Sequence, residues 1–210
     1  MLRFFLLRKL TRGLLVRVSK PNIFVRIPKE RVGVLIGPDG KVKQRIEEQF
    51  MVELLIDGDS GGVTVVLSEK ASDPSLLFRA KDTVTAIGRG FSPEQAFRLL
   101  RNDDDVFDFI DLRAVFGRSE SDIKRVKARV IGANGKTRKL IEELTEASMV
   151  VYGHTIGFIG SFEQVDVARN AVQMLINGSQ HHTVYKYLQR KRSEFKKQRL
   201  ELWQKPPEEK

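Results

Sequence analysis

The stretch that decides the fold of this chain spans residues 123–141 and reads IKRVKARVIGANGKTRKLI. Its centre is a Gly-Ala-Asn-Gly segment at residues 132–135, and the whole stretch contains seven basic residues and no acidic one. Glycine permits a close approach of the backbone to a ligand, and clustered positive charge attracts a polyanion. The stretch therefore predicts a loop that contacts a phosphate backbone.

The pattern I-G-x-x-G-K at residues 131–136 resembles the loop of the KH domain. This small module binds RNA or single-stranded DNA by clamping about four nucleotides of backbone. Downstream, the pattern I-x-x-x-T-x-A-x-M-x-V at residues 141–151 is similar to the second KH helix and the strand that follows it. The resemblance implies the eukaryotic-type, or type I, KH fold with the element order βααββα.

An internal repeat carries the same pattern into the first half of the chain. Residues 37–41, GPDGK, lie 95 positions before residues 132–136, GANGK. At the same offset, the segment Ile-Glu-Glu at residues 46–48 aligns with Ile-Glu-Glu at residues 141–143. Such a match indicates two copies of one supersecondary unit.

Each copy combines short runs of alternating apolar residues with helical apolar stripes. Because these strands and helices are mixed within each copy, the predicted fold class is α+β, with two tandem type I KH domains and a C-terminal basic helix. The predicted boundaries are a basic N-terminal arm at 1–18, KH domain 1 at 19–102, KH domain 2 at 103–180, and a C-terminal helix with tail at 181–210.

Three segments outside the repeat have open interpretations. Residues 1–18 lack the uninterrupted apolar run of roughly 7–15 residues that a secretory signal needs, and we interpret them as an upstream extension from a wrongly chosen start codon or a disordered basic arm. The acidic run at 102–105 is interpreted as a solvated linker or helix end. Leu188, Phe195 and Leu202, at seven-residue spacing, predict an apolar seam. The seam would dock on KH domain 2, on a partner, or beside RNA.

Composition narrows the class of protein. A formal net charge of +10 favours a polyanionic partner. The chain contains no cysteine, which excludes disulfides, thiolate zinc sites and cysteine nucleophiles. We therefore expect an intracellular, cytoplasmic protein. A transmembrane span needs about twenty consecutive apolar residues, which the sequence lacks, so we expect no membrane association.

A narrower resemblance rests on three segments: AIGRGFSPEQAFRLL at 86–100, IEELTEASMVVYGHTIGFIG at 141–160 and NGSQHHTVYKYLQRKR at 177–192. Together they resemble archaeal KH-domain ribosome-assembly proteins, relatives of the eukaryotic partner-of-Nob factor of pre-small-subunit particles, over residues 23–197. The resemblance implies binding of single-stranded RNA near the 3′ end of small-subunit ribosomal RNA. It also implies a Nob-type endonuclease and the alpha subunit of translation initiation factor two as partners.

The predicted RNA contacts divide into phosphate-binding loop residues, basic residues on the flanking helices and apolar residues of the groove wall. The candidates are Arg125, Arg129, Ile131, Gly132, Ala133, Asn134, Gly135, Lys136, Arg138, Lys139, Met149 and Val151. Weaker candidates in the first copy are Gly37, Gly40, Lys41 and Lys43. That loop is expected to bind less well, because Pro38 lacks an N–H donor and Asp39 places a negative charge where phosphate would lie.

Catalysis is the rival class of function. The three histidines, at positions 154, 181 and 182, do not converge on one helical face, and the paired glutamates at 47–48 and 142–143 diverge as sequence neighbours. We therefore expect no enzymatic activity, metal or cofactor, and a surface or domain-contact role for the glutamates. Two alternatives stay open: a tandem-KH translational regulator or RNA-decay cofactor, and a protein adaptor with vestigial RNA binding.

Overall fold

The computed structural model describes residues 20–71 and 73–204, and it describes the side chains of these residues except those at 198–199 and 201–204. The predicted arm at 1–18, the end of the tail and the Leu202 side chain of the predicted seam lie outside this part. Within the described ranges, none of the helices has the length and apolar character needed to cross a membrane.

The first unit, residues 20–102, is a three-stranded antiparallel sheet with helices packed on one face. Its elements are β1 (Asn22–Arg26), α1 (Lys29–Ile36), α2 (Lys41–Phe50), β2 (Val52–Asp57), β3 (Gly62–Leu67), α3 (Ser75–Gly88), α4 (Pro93–Ala96) and α5 (Arg98–Arg101). The strand order is β1-β3-β2. A capping box between Ser92 and Gln95 starts α4, because each residue satisfies an amide of the other.

The second unit, residues 103–180, repeats this arrangement. Its elements are β4 (Asp105–Asp111), α6 (Leu112–Phe116), α7 (Glu120–Ile131), α8 (Lys136–Thr145), β5 (Ser148–Tyr152), β6 (Thr155–Ser161) and α9 (Phe162–Ile176), and helix α10 (His181–Gln204) follows it. The strand order is β4-β6-β5. The predicted α+β class is confirmed. The short helix α6 was not predicted.

The middle strand β6 is buried on both faces. Ile156 and Phe158 belong to the core of the second unit, whereas Ile159 belongs to the core of the first unit. Gly157 faces the first unit too, and a Cβ atom added to it would lie 2.7 Å from the ring of Phe91. This strand therefore needs a glycine where the two units meet.

Aromatic and polar contacts join the units around β6. The Phe91 ring, after α3, packs edge-on against Phe107 of β4 with 6.2 Å between ring centroids. Arg98 of α5 pairs with Asp105 at 3.2 Å and donates to the Ser148 hydroxyl at 3.1 Å. Aromatic packing combined with desolvated hydrogen bonds holds such an interface more firmly than exposed ion pairs.

The acidic run at 102–105 is more than a solvated linker. The Asp105 side chain is only 6% exposed because it accepts from Arg98. Asp103 pairs with Arg79 of α3 at 2.5 Å. The run begins at the C-cap of α5, Asn102, as the interpretation as a helix end expects, and it ties this end to the neighbouring elements. Only the alternative of a solvated linker needs correction, at Asp105.

A second point of contact lies at the hairpin between β5 and β6. The Tyr152 hydroxyl hydrogen-bonds to the Glu30 carboxylate of α1, and Arg31 lies over the Tyr152 ring, 5.6 Å from its centroid. Burial raises the pKa of Tyr152, and the Glu30 carboxylate raises it further. The tyrosine therefore stays a neutral donor to Glu30 across the physiological range.

Helix α10 packs along α8 and α9 of the second unit. Val184 and Leu188 are fully buried in the second core, and Phe195 packs against the same core. The apolar seam therefore docks on the second unit as far as Phe195.

Candidate nucleic-acid interface

Two loops with nearly identical backbones join the helix pairs of the two units. The first loop (residues 37–40) and the second loop (residues 132–135) both open on a glycine with φ 72° and ψ 176°. The third residue, Asp39 or Asn134, has φ near 50°, and the closing glycine has φ near 75°. Asp and Asn tolerate this left-handed conformation better than other side-chain-bearing residues.

The opening glycines are also required by packing. A Cβ atom on Gly132 would lie 2.2 Å from the Thr137 hydroxyl oxygen, and one on Gly37 would lie 2.3 Å from a methyl carbon of Val42. The backbone of each loop therefore packs directly on the first turn of the following helix. This packing leaves the amides at the tip free of side-chain bulk, as phosphate binding at a helix N-terminus requires.

The start of α8, directly after the second loop, carries positive charge and has no acidic residue in its first turn. Ala133, Asn134, Lys136 and Lys139 are exposed. Arg138 lies 3.7 Å from Glu142, one helical turn further on. The macrodipole of α8 adds partial positive charge at this end of the helix. The loop and the start of α8 therefore form a surface suited to an anion.

The first loop has a different charge balance. The exposed carboxylate of Asp39 lies at its tip, 3.5 Å from the ammonium group of Lys41. Lys43 lies 3.7 Å from Glu47, as Arg138 does from Glu142 in the second unit. The first loop therefore has the backbone of the second loop but less net positive charge.

The first glutamate of each pair has a structural role. Glu47 accepts a hydrogen bond from the Leu54 amide at 2.7 Å, and Glu142 accepts one from the Met149 amide at 2.9 Å. Each carboxylate thus fixes a sheet-edge strand to the helix after the loop. Sequence reasoning predicted a surface or domain-contact role and missed this bond, because a main-chain partner leaves no signal in the sequence.

The structure limits the side chains of two predicted contact residues. Met149 is only 1% exposed because its side chain packs in the second core, so the side chain is not available to stack on a base. Arg129 donates to the Ser179 carbonyl at 2.7 Å and thereby holds the chain between α9 and α10. One nitrogen of its guanidinium is therefore engaged by the protein backbone.

The other flanking candidates are more accessible. Ile131 is half-buried at the end of α7, and Val151 packs partly against the second core. Arg125 is exposed and pairs with Asp122 at 2.7 Å. Because an exposed ion pair is weak, Arg125 can exchange Asp122 for a phosphate at little cost.

A groove of about 960 Å³ extends from Ile131 along α7. Its charged and polar lining residues are Arg113, Arg118, Glu120, Ser121, Lys124, Lys127 and His154. The ammonium group of Lys127 donates to the Gly153 carbonyl at 2.8 Å and so connects α7 to the β5–β6 hairpin. The groove therefore offers an apolar strip bordered by four cations and one carboxylate, that of Glu120.

Sequence reasoning missed most of this groove. Lys124, Lys127, Ala128 and Ile131 recur at helical spacing on one face of α7, which was a readable signal. His154, which the sequence presents only as a candidate catalytic or metal-binding residue, also lines the groove. Burial lowers the pKa of His154, and Asp111, at 3.8 Å, opposes that effect. A bound anion would favour its protonated form.

A metal centre finds no support in the described part of the chain, where no cluster of three or more histidines and carboxylates could hold an ion.

Comparisons with known proteins agree with this geometry. A family model described as a eukaryotic-type KH domain (KH-domain type I) matches residues 106–193. A KH domain-containing protein of Methanocaldococcus jannaschii is 46% identical over 181 residues, covering 86% of this chain and 78% of the relative. The pre-rRNA-processing protein Pno1 of Schizosaccharomyces pombe is 29% identical over 170 residues, covering 80% and 70%.

Solved structures give the same result. Dim2p from Pyrococcus horikoshii has 42% identity and a TM-score of 0.73, covering 81% of this chain and 99% of Dim2p. A chain in the a/eIF2alpha–aDim2p–rRNA complex of the same organism has 40% identity and a TM-score of 0.78, covering 85% and 97%. The chain therefore belongs to the KH-domain family that includes these archaeal proteins and the eukaryotic Pno1 proteins.

Proposed function

We propose that this protein is an RNA-binding assembly factor of the small ribosomal subunit. In this proposal, the second loop grips single-stranded RNA near the 3′ end of small-subunit ribosomal RNA. The observation that carries the proposal is the second loop itself, with its left-handed backbone, its packing on α8 and the absence of an acidic residue from the first turn of that helix. Its relatives include a pre-rRNA-processing protein and a chain of an rRNA complex, which supports the choice of RNA.

The proposed contacts fall into two groups. The loop at residues 132–135 and the cations Lys136, Arg138 and Lys139 bind phosphates, and these contacts position RNA without reading its sequence. Ile131, Val151 and the groove along α7 receive unstacked bases, for which apolar walls and main-chain groups are suited. Lys124 and Lys127 are added to the proposed RNA contacts because both residues line the groove.

The two units take different parts in the proposal. Both are type I KH domains, with boundaries at 19–102 and 103–180, and the second carries most of the RNA affinity. The first is a scaffold or a surface for protein partners, because Asp39 and Pro38 weaken its loop as a phosphate site. Gly37, Gly40, Lys41 and Lys43 therefore make at most a secondary contribution.

The proposed partners are the alpha subunit of translation initiation factor two and a Nob-type endonuclease. The first is supported by the similar Pyrococcus horikoshii structure, in which a/eIF2alpha, aDim2p and rRNA form one complex. The second rests on the family resemblance. The proposed site of action is the cytoplasm, and the protein contributes binding rather than catalysis.

Charge reversal in the two loops tests which one holds RNA. The variant Lys136→Glu/Arg138→Glu is expected to weaken binding to a single-stranded RNA copying the ribosomal 3′ end by at least about tenfold, because two phosphate contacts become repulsive. The matched variant Lys41→Glu/Lys43→Glu is expected to change affinity less than about threefold. Fluorescence anisotropy at fixed salt measures both.

A scrambled RNA of the same length is the control for sequence preference. Stronger binding of the ribosomal sequence than of the scrambled one supports the assembly-factor role. Equal binding would leave a nonspecific basic protein. If Lys41→Glu/Lys43→Glu weakened RNA binding more than Lys136→Glu/Arg138→Glu, the main RNA contact would be assigned to the first loop.

A further inference from the structure

Helix α10 presents an exposed basic surface that the proposed function does not use. Lys186, Arg190, Lys196 and Lys197 are exposed and fall within about one third of the helix circumference, and we call them the α10 basic face. The opposite side of α10 is buried through Val184 and Leu188. Among the described side chains of α10, Glu194 is the one acidic residue, and it pairs with Lys191 at 2.7 Å and, at 3.7 Å, with Arg190 of the basic face. Because an exposed ion pair is weak, Arg190 can still contact a phosphate.

Three hydrogen bonds fix the start of α10 beside the second loop. The Tyr185 hydroxyl lies 3.0 Å from the Thr137 hydroxyl, two residues after the loop. On the other side of the loop, the backbone carbonyl of Arg129 is 3.0 Å from His181 Nε2, and the Arg129 guanidinium donates to the Ser179 carbonyl at 2.7 Å. The segment from Ser179 to Tyr185 therefore hydrogen-bonds to residues on both sides of the second loop.

The first loop has no such support from its own flanking residues. At the 95-residue offset, Val34 and Val42 stand in place of Arg129 and Thr137. Neither valine side chain can donate or accept a hydrogen bond. The two copies therefore differ at the two side chains that hydrogen-bond to the segment from Ser179 to Tyr185. Helix α10 thus packs beside the second loop, which is followed by the greater positive charge.

The basic face begins next to this loop and leads away from it. Lys186 follows Tyr185 directly in sequence, and α10 then packs along α8 and α9. Arg190 lies about one helical turn, or 5.4 Å, beyond Lys186, and Lys196 and Lys197 lie about two turns further. A single-stranded backbone that leaves the loop along α8 would meet cations at intervals of one to two helical turns.

We infer that RNA held by the second loop continues along the α10 basic face, so that the phosphate-binding track is longer than a KH loop alone provides. The ligand is the ribose-phosphate backbone of single-stranded RNA, which these cations contact without reading bases. This inference rests on the proposed function of the second loop and extends it by a second, separate surface.

Two RNA probes of different length distinguish binding at the second loop from binding along α10. The short probe has about five nucleotides, close to what a KH loop clamps. The long probe carries the same segment in its middle and is about three times as long. The variant Lys186→Gln/Arg190→Gln removes two charges from exposed positions. Its matched control, Lys70→Gln/Arg101→Gln, removes two exposed charges from the first unit. Full-length protein is titrated by fluorescence anisotropy over a salt series.

The α10 variant is expected to bind the long probe about five- to tenfold more weakly than wild type and the short probe within about twofold. For the long probe, the slope of log affinity against log salt should fall by about 1.4, since each lost single-strand contact removes about 0.7. The control variant should match wild type on both probes.

Equal binding of the long probe by wild type and the α10 variant would overturn the inference and leave the basic face for a protein partner. An equal loss on both probes would also overturn it, because the substitutions would then act through the loop. Failure of wild type to bind even the long probe would instead refute the proposed function, and the inference with it.

Discussion

Replacing Ala133 and Asn134 with aspartate is expected to lower the affinity for single-stranded RNA by about 100-fold or more. Each carboxylate would stand at an exposed position at the tip of the second loop, where the proposal places phosphate. Two like charges about 4 Å apart repel by roughly 1 kcal/mol in water and 4 kcal/mol near a protein surface. Two such repulsions suffice for a change of this size.

The same substitution should leave the fold intact. Asp39 already occupies the equivalent position of the first loop with φ 52°, against φ 51° for Asn134. Aspartate is therefore compatible with this backbone. A thermal melt of the variant should match wild type, which separates loss of binding from loss of structure.

The matched control is Ala133→Asn with Asn134 unchanged. It differs from the double aspartate only in having two amides in place of two carboxylates, so it reports the effect of bulk at the loop tip. We expect it to bind RNA within about threefold of wild type, because neutral amides do not repel phosphate. A loss as large as that of the double aspartate would mean that size, rather than charge, governs the loop.

Phe91→Ala is expected to lower the free energy of unfolding by about 3–5 kcal/mol. Phe91 is fully buried, packs edge-on against Phe107 and covers Gly157 between the units. Removing its ring leaves a cavity at the junction of the units, where the surrounding sheet cannot collapse freely. Urea unfolding followed by circular dichroism measures the change.

The matched control is Phe162→Ala, because Phe162 is 73% exposed at the start of α9. This variant should change the free energy of unfolding by less than about 0.5 kcal/mol, as surface substitutions usually do. A cost for Phe91→Ala below about 1 kcal/mol would mean that the ring does not hold the units together. Two separate unfolding transitions would show that the junction normally couples the units.

Glu47 and Glu142 show what a local sequence pattern can and cannot predict. The repeat placed Glu47 and Glu142 at equivalent positions, and this equivalence is visible in the sequence alone. Their role as acceptors for the amides of Leu54 and Met149 depends on where a strand seven residues later returns in space. Sequence reasoning could therefore identify the pair but not its partners.

The sequence by itself determined the two loops, because their backbone conformation depends on local residues. Positive φ angles strongly favour glycine, asparagine or aspartate, and both loops supply them at the required spacing. The apolar periodicities of strands and helices are local in the same sense, and they predicted the α+β class.

Only the tertiary structure decided which candidate residues face outward. Met149 is buried in a core, Arg129 is turned toward Ser179, and β6 is covered on both faces. Each outcome depends on contacts between segments far apart in the chain, where packing and desolvation override the preferences of a single residue. Long-range contacts of this kind leave no periodic signal, so the residues that α6 and the β5–β6 hairpin add to the groove along α7, and the support of the second loop by α10, became visible only in three dimensions.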